Sequence, residues 1–171
     1  YYTYAYLWAV TFDGKQISDK WYHSSHSKTQ YKVTDADGNT KTYTPPAATS
    51  GSGSRTMYGN GNHNLSVGDV DGDGADEIIW GAAALDNDGT LLYATGFGHG
   101  DAMHLADHNP DRPGLELFMV HEGSPYGWDL HDAATGKILF KATGSSDNGR
   151  GMAAQLSATD RGSYFSPAND R

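Results

Sequence analysis

The 171-residue chain has the length of one ordinary domain, and its net charge of −9 with twelve unclustered basic residues leaves no electrostatic footprint for nucleic acid. Zero cysteines exclude a disulfide scaffold, thiolate zinc and a cysteine nucleophile, and no apolar run approaches the ~18 residues that span a membrane. Leu, Ile, Val and Phe number only 25, but 12% aromatics argue for a folded chain, and 18 Asp against 3 Glu favour turns and calcium loops over helices.

In chain order, Tyr4 to Phe12 is a continuous apolar-aromatic run that predicts a strand buried on both faces. Lys20 to His23 follows it. Gln30 to Thr34 and Thr40 to Thr44 flank an Asp-Gly turn and predict a hairpin. Residues 45–58, rich in Ser, Thr and Gly, read as a long polar loop of the kind that is mobile or functional. Short strands are then expected at Leu65–Gly68, Glu77–Gly81, Leu91–Ala94, Met103–Ala106, Leu115–Val120, Tyr126–Leu130 and Lys137–Lys141. Asp86-Asn-Asp-Gly89 reads as a plain hairpin turn. No amphipathic helical window exceeds two turns, so the fold class is all-β.

Three segments repeat. Asn62 to Asp69, Gly100 to Asp107 and Gly149 to Leu156 share a Gly or Asn, a polar residue and a large apolar residue leading into a strand, at spacings of 38 and 49. Periods near 40–50 built of short strands are the mark of propeller blades. In such a fold equivalent positions ring one mouth of the central channel, which groups His63, Asp101 and Arg150. A base, an acid and a cation suit a binding or catalytic ring, though polar loop ends are also common without function.

Asp69, Asp71, Asp73 and Glu77 stand at positions 1, 3, 5 and 9 of a loop with Gly74 at 6 and the Ala75 carbonyl at 7. Calcium needs several oxygens in a flexible shell, and this spacing supplies them. Trp80 occupies position 12, where an EF-hand requires Glu, so a strand-flanked calcium loop is expected. A degenerate second loop runs through Asp107, Asn109, Asp111 and Glu116. There calcium competes with a turn held by Asx hydrogen bonds.

Among the histidines, His63 and His99 stand beside ring positions, and glycines on both sides of His99 allow backbone to approach a ligand. His104 reads as packing; His23, His26 and His108 read as surface.

The runs Gly59 to Ile79, Gly98-His-Gly-Asp-Ala-Met-His104, Arg112-Pro-Gly-Leu-Glu116 and Trp128 to Gly136 resemble the rhamnogalacturonan lyases of the eleventh polysaccharide lyase family. The likeness extends from Tyr6 to Gln155. It implies an eight-bladed β-propeller, of which this chain is an incomplete arc of about three to four blades in a single catalytic domain. The beginning at Tyr1, without Met or a signal peptide, likewise reads as a piece of something longer. The resemblance implies bacterial secretion to the periplasm, cell surface or medium, bound Ca²⁺, and cleavage of the rhamnogalacturonan I backbone of pectin by β-elimination. The missing blades of the same parent chain would be its partners. By the same resemblance His63 and His99 match active-site histidines, Asp101 and Glu122 match acids of the cleft, and Arg150 matches a cleft arginine. His63 or His99 is expected as base, Arg150 as carboxylate clamp, and Asp101 with Glu122 as substrate contacts. The competing expectation is a non-catalytic calcium-bound module that binds glycans or a protein.

Overall fold

The computed structural model describes residues 4–25, 31–34, 37–43 and 57–168. Their fold is all-β, and no helix occurs among them. Two four-stranded antiparallel meanders form the centre. The first comprises β5 (Ser66–Gly68), β6 (Glu77–Ile79), β7 (Ala83–Leu85) and β8 (Leu91–Ala94). The second comprises β9 (Met103–Ala106), β10 (Glu116–His121), β11 (Gly127–Asp132) and β12 (Ile138–Ala142). Three two-stranded sheets complete the fold of the described residues: β1 (Tyr6–Phe12) with β2 (Ile17–Ser24), β3 (Tyr31–Thr34) with β4 (Thr40–Tyr43), and β13 (Gly151–Ala154) with β14 (Tyr164–Pro167).

Successive side chains of a strand point to opposite faces, and the central sheets use both faces. In β10, Leu117 and Met119 pack with Ile79, Ala84 and Tyr93 between the two meanders. Phe118 and Val120, the alternate residues, pack with Ala102, Trp128, Ala153 and Phe165 toward β13–β14. In β7, Ala84 joins the first cluster while Ala83 and Leu85 face Ala5, Leu7 and Trp21. The thin aliphatic content is thus spread over three interfaces between four layers that follow one another in chain order. Phe118 is completely buried, a burial that contributes about 1.5–3 kcal/mol.

Most expected strands form within a residue or two of their bounds. β7 escaped because a run of alanines carries no alternation. β1 corrects a second expectation: it is not buried on both faces, and Trp8, Val10 and Phe12 are exposed. Leu7 packs toward β7, while among the described residues the alternate side chains from Tyr6 to Phe12 stay exposed. The polar loop 45–58 lies outside the described residues except for its last two, as does His26.

His23 and His108 are buried rather than on the surface. Each imidazole ties distant segments. His23 Nδ1 donates to the Gly89 carbonyl at 3.0 Å. His108 Nε2 donates to the His104 carbonyl and Nδ1 accepts from Ser163, both at 2.9 Å. Burial holds the His23 imidazole below its ordinary pKa, and its bond to Gly89 opposes that shift only in part. His104 packs as expected, its ring stacked on Phe118 and Nε2 at 3.3 Å from the Gly151 carbonyl.

Candidate active site and metal loop

The segments leading into β5, β9 and β13 interlock. Asn62 and Gly100 form a parallel bridge, and the His63 amide donates to the Gly100 carbonyl at 3.2 Å. The Glu122 amide donates to the His99 carbonyl at 3.1 Å, and the Asn148 amide to the His121 carbonyl at 3.2 Å. Buried Asn60 accepts the Gly98 amide at 3.1 Å. Gly100 is required at its position, because a Cβ there would stand 2.0 Å from the Val120 carbonyl. On the Gly100 side of His99 the space is taken by the protein's own backbone, whereas a Cβ at Gly98 would meet only the Gly59 carbonyl at 3.9 Å.

This interlocking brings all five expected site residues together. Asp101 Oδ1 lies 3.3 Å from His63 Nε2 and 3.4 Å from His99 Nε2. Its Oδ2 accepts from Arg150 at 3.1 Å. His99 Nε2 is also 3.3 Å from Glu122 Oε2. The two imidazole rings meet edge to face at 4.8 Å between centroids. His99 Nδ1 lies against the Gly61 carbonyl at 2.5 Å; a carbonyl only accepts, so that nitrogen carries the proton and Nε2 turns toward the carboxylates. Exposure separates the roles. His99 is buried, whereas the side chains of His63 and Arg150 are 45% and 80% exposed. One half-buried carboxylate thus has a histidine within 3.3 Å of one oxygen, without a hydrogen bond, and a hydrogen-bonded arginine on the other. The donor atoms of His63, His99 and Asp101 lie within 4.8 Å of one another, a nitrogen and oxygen set that also suits a divalent cation.

The acidic loop has its own centre. Donor atoms of Asp69, Asp71 and Glu77 converge within 4.8 Å. The turn is tied by its own side chains: Asp69 accepts the Gly72 and Gly74 amides, Asp71 the Asp73 amide, and Asp73 the Ala75 amide. Asp73 also accepts from Asn87 at 3.1 Å and stands apart from the convergent group. Glu77 is completely buried; Oε2 accepts the Val70 amide at 2.8 Å, and Oε1 has no hydrogen-bond partner. Burial pushes its carboxyl above the usual range, and the charges of Asp71 and Asp73 add to the rise against the pull of the Val70 amide. A buried carboxylate oxygen without a partner is costly, and a cation removes that cost. The residues fit calcium.

The second loop departs from the expected ligand set. Asp107, Asp111 and Glu116 do not converge. Asn109 accepts the Asp111 amide at 3.2 Å, Asp111 pairs with Arg161 at 2.5 Å, and Glu116 is bound by Arg112 at 2.8 Å. Arg112 also pairs with Asp132. Glu116 is thus taken by an arginine of the loop and Asp111 by one outside it.

Sequence reasoning also missed a buried triad. Asp129 accepts from His121 Nε2 at 2.6 Å and His131 Nδ1 at 2.5 Å, with all three residues buried. Asp129 and His131 are alternate residues of β11 and share one face; His121 lies diagonally across on β10. Burial alone would raise the Asp129 carboxyl, but the two imidazoles outweigh it and hold it below the usual range.

A family model described as "Rhamnogalacturonan lyase family 11, C-terminal domain" matches residues 40–169. The chain belongs to that family. It is 55% identical over 124 residues to the rhamnogalacturonan exolyase YesX of Bacillus subtilis, covering 69% of this chain and 20% of that protein. To the rhamnogalacturonan endolyase YesW of the same organism it is 57% identical over 107 residues, covering 61% and 17%. The solved rhamnogalacturonan lyase of Bacillus licheniformis superposes with a TM-score of 0.78 at 43% identity, covering 98% of this chain and 25% of that one. The exotype lyase YesX superposes at 0.79 and 42% identity, covering 99% and 24%. The chain thus spans about a fifth of the length of the curated relatives it matches.

Proposed function

We propose that this chain supplies catalytic residues to a polysaccharide lyase that cleaves the rhamnogalacturonan I backbone of pectin by β-elimination at galacturonate. The observation that carries this reading is the Asp101 carboxylate with His63 on one oxygen and Arg150 on the other, both at an exposed rim. We also read the four layers as an arc of about three to four blades of an eight-bladed β-propeller. In support, the two meanders follow the 38-residue repeat and meet at the parallel bridge between Asn62 and Gly100. Val67, Phe140, Met152 and Leu156 are exposed apolar residues that neighbouring blades of the same parent chain would cover.

In β-elimination the C5–H bond breaks, the base takes the proton, and the electron pair is held as an enolate on the adjacent carboxyl. The C4–C5 double bond forms as the C4–O4 bond breaks with its pair on the departing oxygen, which takes up a proton from the protonated base or from water. The C5 proton is hardly acidic until the adjacent carboxylate is neutralised. Arg150 has the charge and exposure to clamp that carboxylate. His63, the imidazole at the rim, takes the C5 proton. His99 is buried, and its proton on Gly61 fixes the ring with Nε2 facing Asp101 and Glu122, where a second proton or a cation would join imidazole and carboxylates. Calcium would be held at the first loop by Asp69, Asp71 and Glu77. When bound it supplies the charge that the buried Glu77 oxygen lacks. Carboxylate loops of this kind suit extracellular calcium levels, which agrees with placing the enzyme outside the bacterial cytoplasm.

The test is ultraviolet absorbance of the unsaturated uronate when the protein meets rhamnogalacturonan I. Arg150→Ala is expected to lower turnover by roughly 10²–10³, as loss of one preorganised charge donor does, with thermal stability unchanged because the side chain is exposed. Near-normal turnover in that variant would overturn the assignment. Polysaccharide binding by the wild type without unsaturated product would favour the non-catalytic calcium-bound module.

A further inference from the structure

The two acidic loops are copies of one device. They begin at Asp69 and Asp107, 38 residues apart, and end at Glu77 and Glu116, 39 apart. Both glutamates open the second strand of a meander and both are completely buried. In each, Oε2 accepts the amide of the residue after the first Asp: Val70 at 2.8 Å and His108 at 2.9 Å. The resemblance ends at Oε1. That of Glu77 is buried without a hydrogen-bond partner, whereas that of Glu116 accepts from Arg112 at 2.8 Å.

The next strand repeats the contrast. Asp132 is the register partner of Glu116, so two carboxylates face each other across β10 and β11. Like charges directly opposite repel, and the Arg112 fork binds both. In the first meander Asp86 follows Leu85, the partner of Ile78, as Asp132 follows His131, the partner of Leu117. The loop positions matching Arg112 are Asp73 and Gly74, which carry no positive charge.

We propose that Arg112 is a built-in cation: it occupies the place of a metal ion in the second loop, which therefore holds its shape without calcium, while the first loop depends on the ion. The inference rests on the calcium reading of the first loop for its contrast, and on the Arg112 contacts for its substance. An arginine fork is always charged and meets two carboxylates at once. It makes the β10–β11 corner indifferent to calcium concentration, unlike the β5–β6 corner.

Calorimetric titration with calcium chloride, together with melting in EDTA, tests this on the protein. Asp71→Asn is expected to lose one calcium equivalent and Asp107→Asn none. Arg112→Gln is expected to lower Tm in EDTA by roughly 5–10 °C, since it strands a buried carboxylate. Arg112→Lys keeps the charge but not the fork and should fall between the two. Loss of a calcium equivalent in Asp107→Asn would overturn the proposal, as would wild-type melting of Arg112→Gln and Arg112→Lys in EDTA. Should Asp71→Asn lose nothing while Asp107→Asn also loses nothing and Arg112→Gln melts early, the first-loop calcium reading fails and Arg112 keeps its role.

Discussion

His63→Ala is expected to lower turnover on rhamnogalacturonan I by roughly 10²–10⁴, the usual contribution of a positioned general base, with KM and Tm nearly unchanged. The ring is 45% exposed, so its loss opens no cavity. His99→Ala should behave differently. That imidazole is buried and bonded to the Gly61 carbonyl, so its removal should lower stability together with activity. A His63→Ala variant that retains wild-type turnover, or a His99→Ala variant that loses turnover alone, would reverse the two roles. Steady-state kinetics beside a melting curve distinguishes these results.

The largest stability effect is expected at Asp129. Its carboxylate is shared by two buried imidazoles, and Asp129→Ala leaves both without that partner in a site closed to water. Breaking a buried charged network costs about 3–5 kcal/mol, a fall in Tm of roughly 10 °C or more for a chain of this size. The pH dependence has a definite sign. The imidazoles hold the folded carboxyl below its unfolded pKa, so its contribution is present above the unfolded value near 4 and is lost as pH falls through the folded one. The wild type should therefore lose its advantage over Asp129→Asn in acid. Equal melting of the two proteins near neutral pH would contradict the triad's role. Activity is a second readout: the triad ends on His121, next to Glu122 in the site, so mild destabilisation with normal kinetics would confine Asp129 to the core.

What the sequence carried was chiefly what spacing can express. The repeat placed His63, Asp101 and Arg150 at equivalent positions, and the structure joins all three. The alternating carboxylates of the first loop converge as far as Asp69, Asp71 and Glu77. Charge competition inside a loop was not legible: Arg112 read as a link in a motif, and only its distances to Glu116 and Asp132 expose it as a cation. Burial of single histidines was likewise hidden, because His23 and His108 lie in polar stretches and are buried by partners 66 and 55 residues away. β7 was invisible for lack of alternation. The apolar length of β1 suggested two covered faces, but whether a second layer exists is decided by the rest of the fold.

In the proposed site one carboxylate, Asp101, organises base and clamp together. Asp101→Asn keeps the shape of the side chain and removes its charge, so it tests that role without disturbing the backbone bridge at Gly100. Release of unsaturated uronate from rhamnogalacturonan I, followed by ultraviolet absorbance, should fall by roughly 10² or more while the melting curve stays near that of the wild type. Wild-type turnover in folded Asp101→Asn would contradict the account.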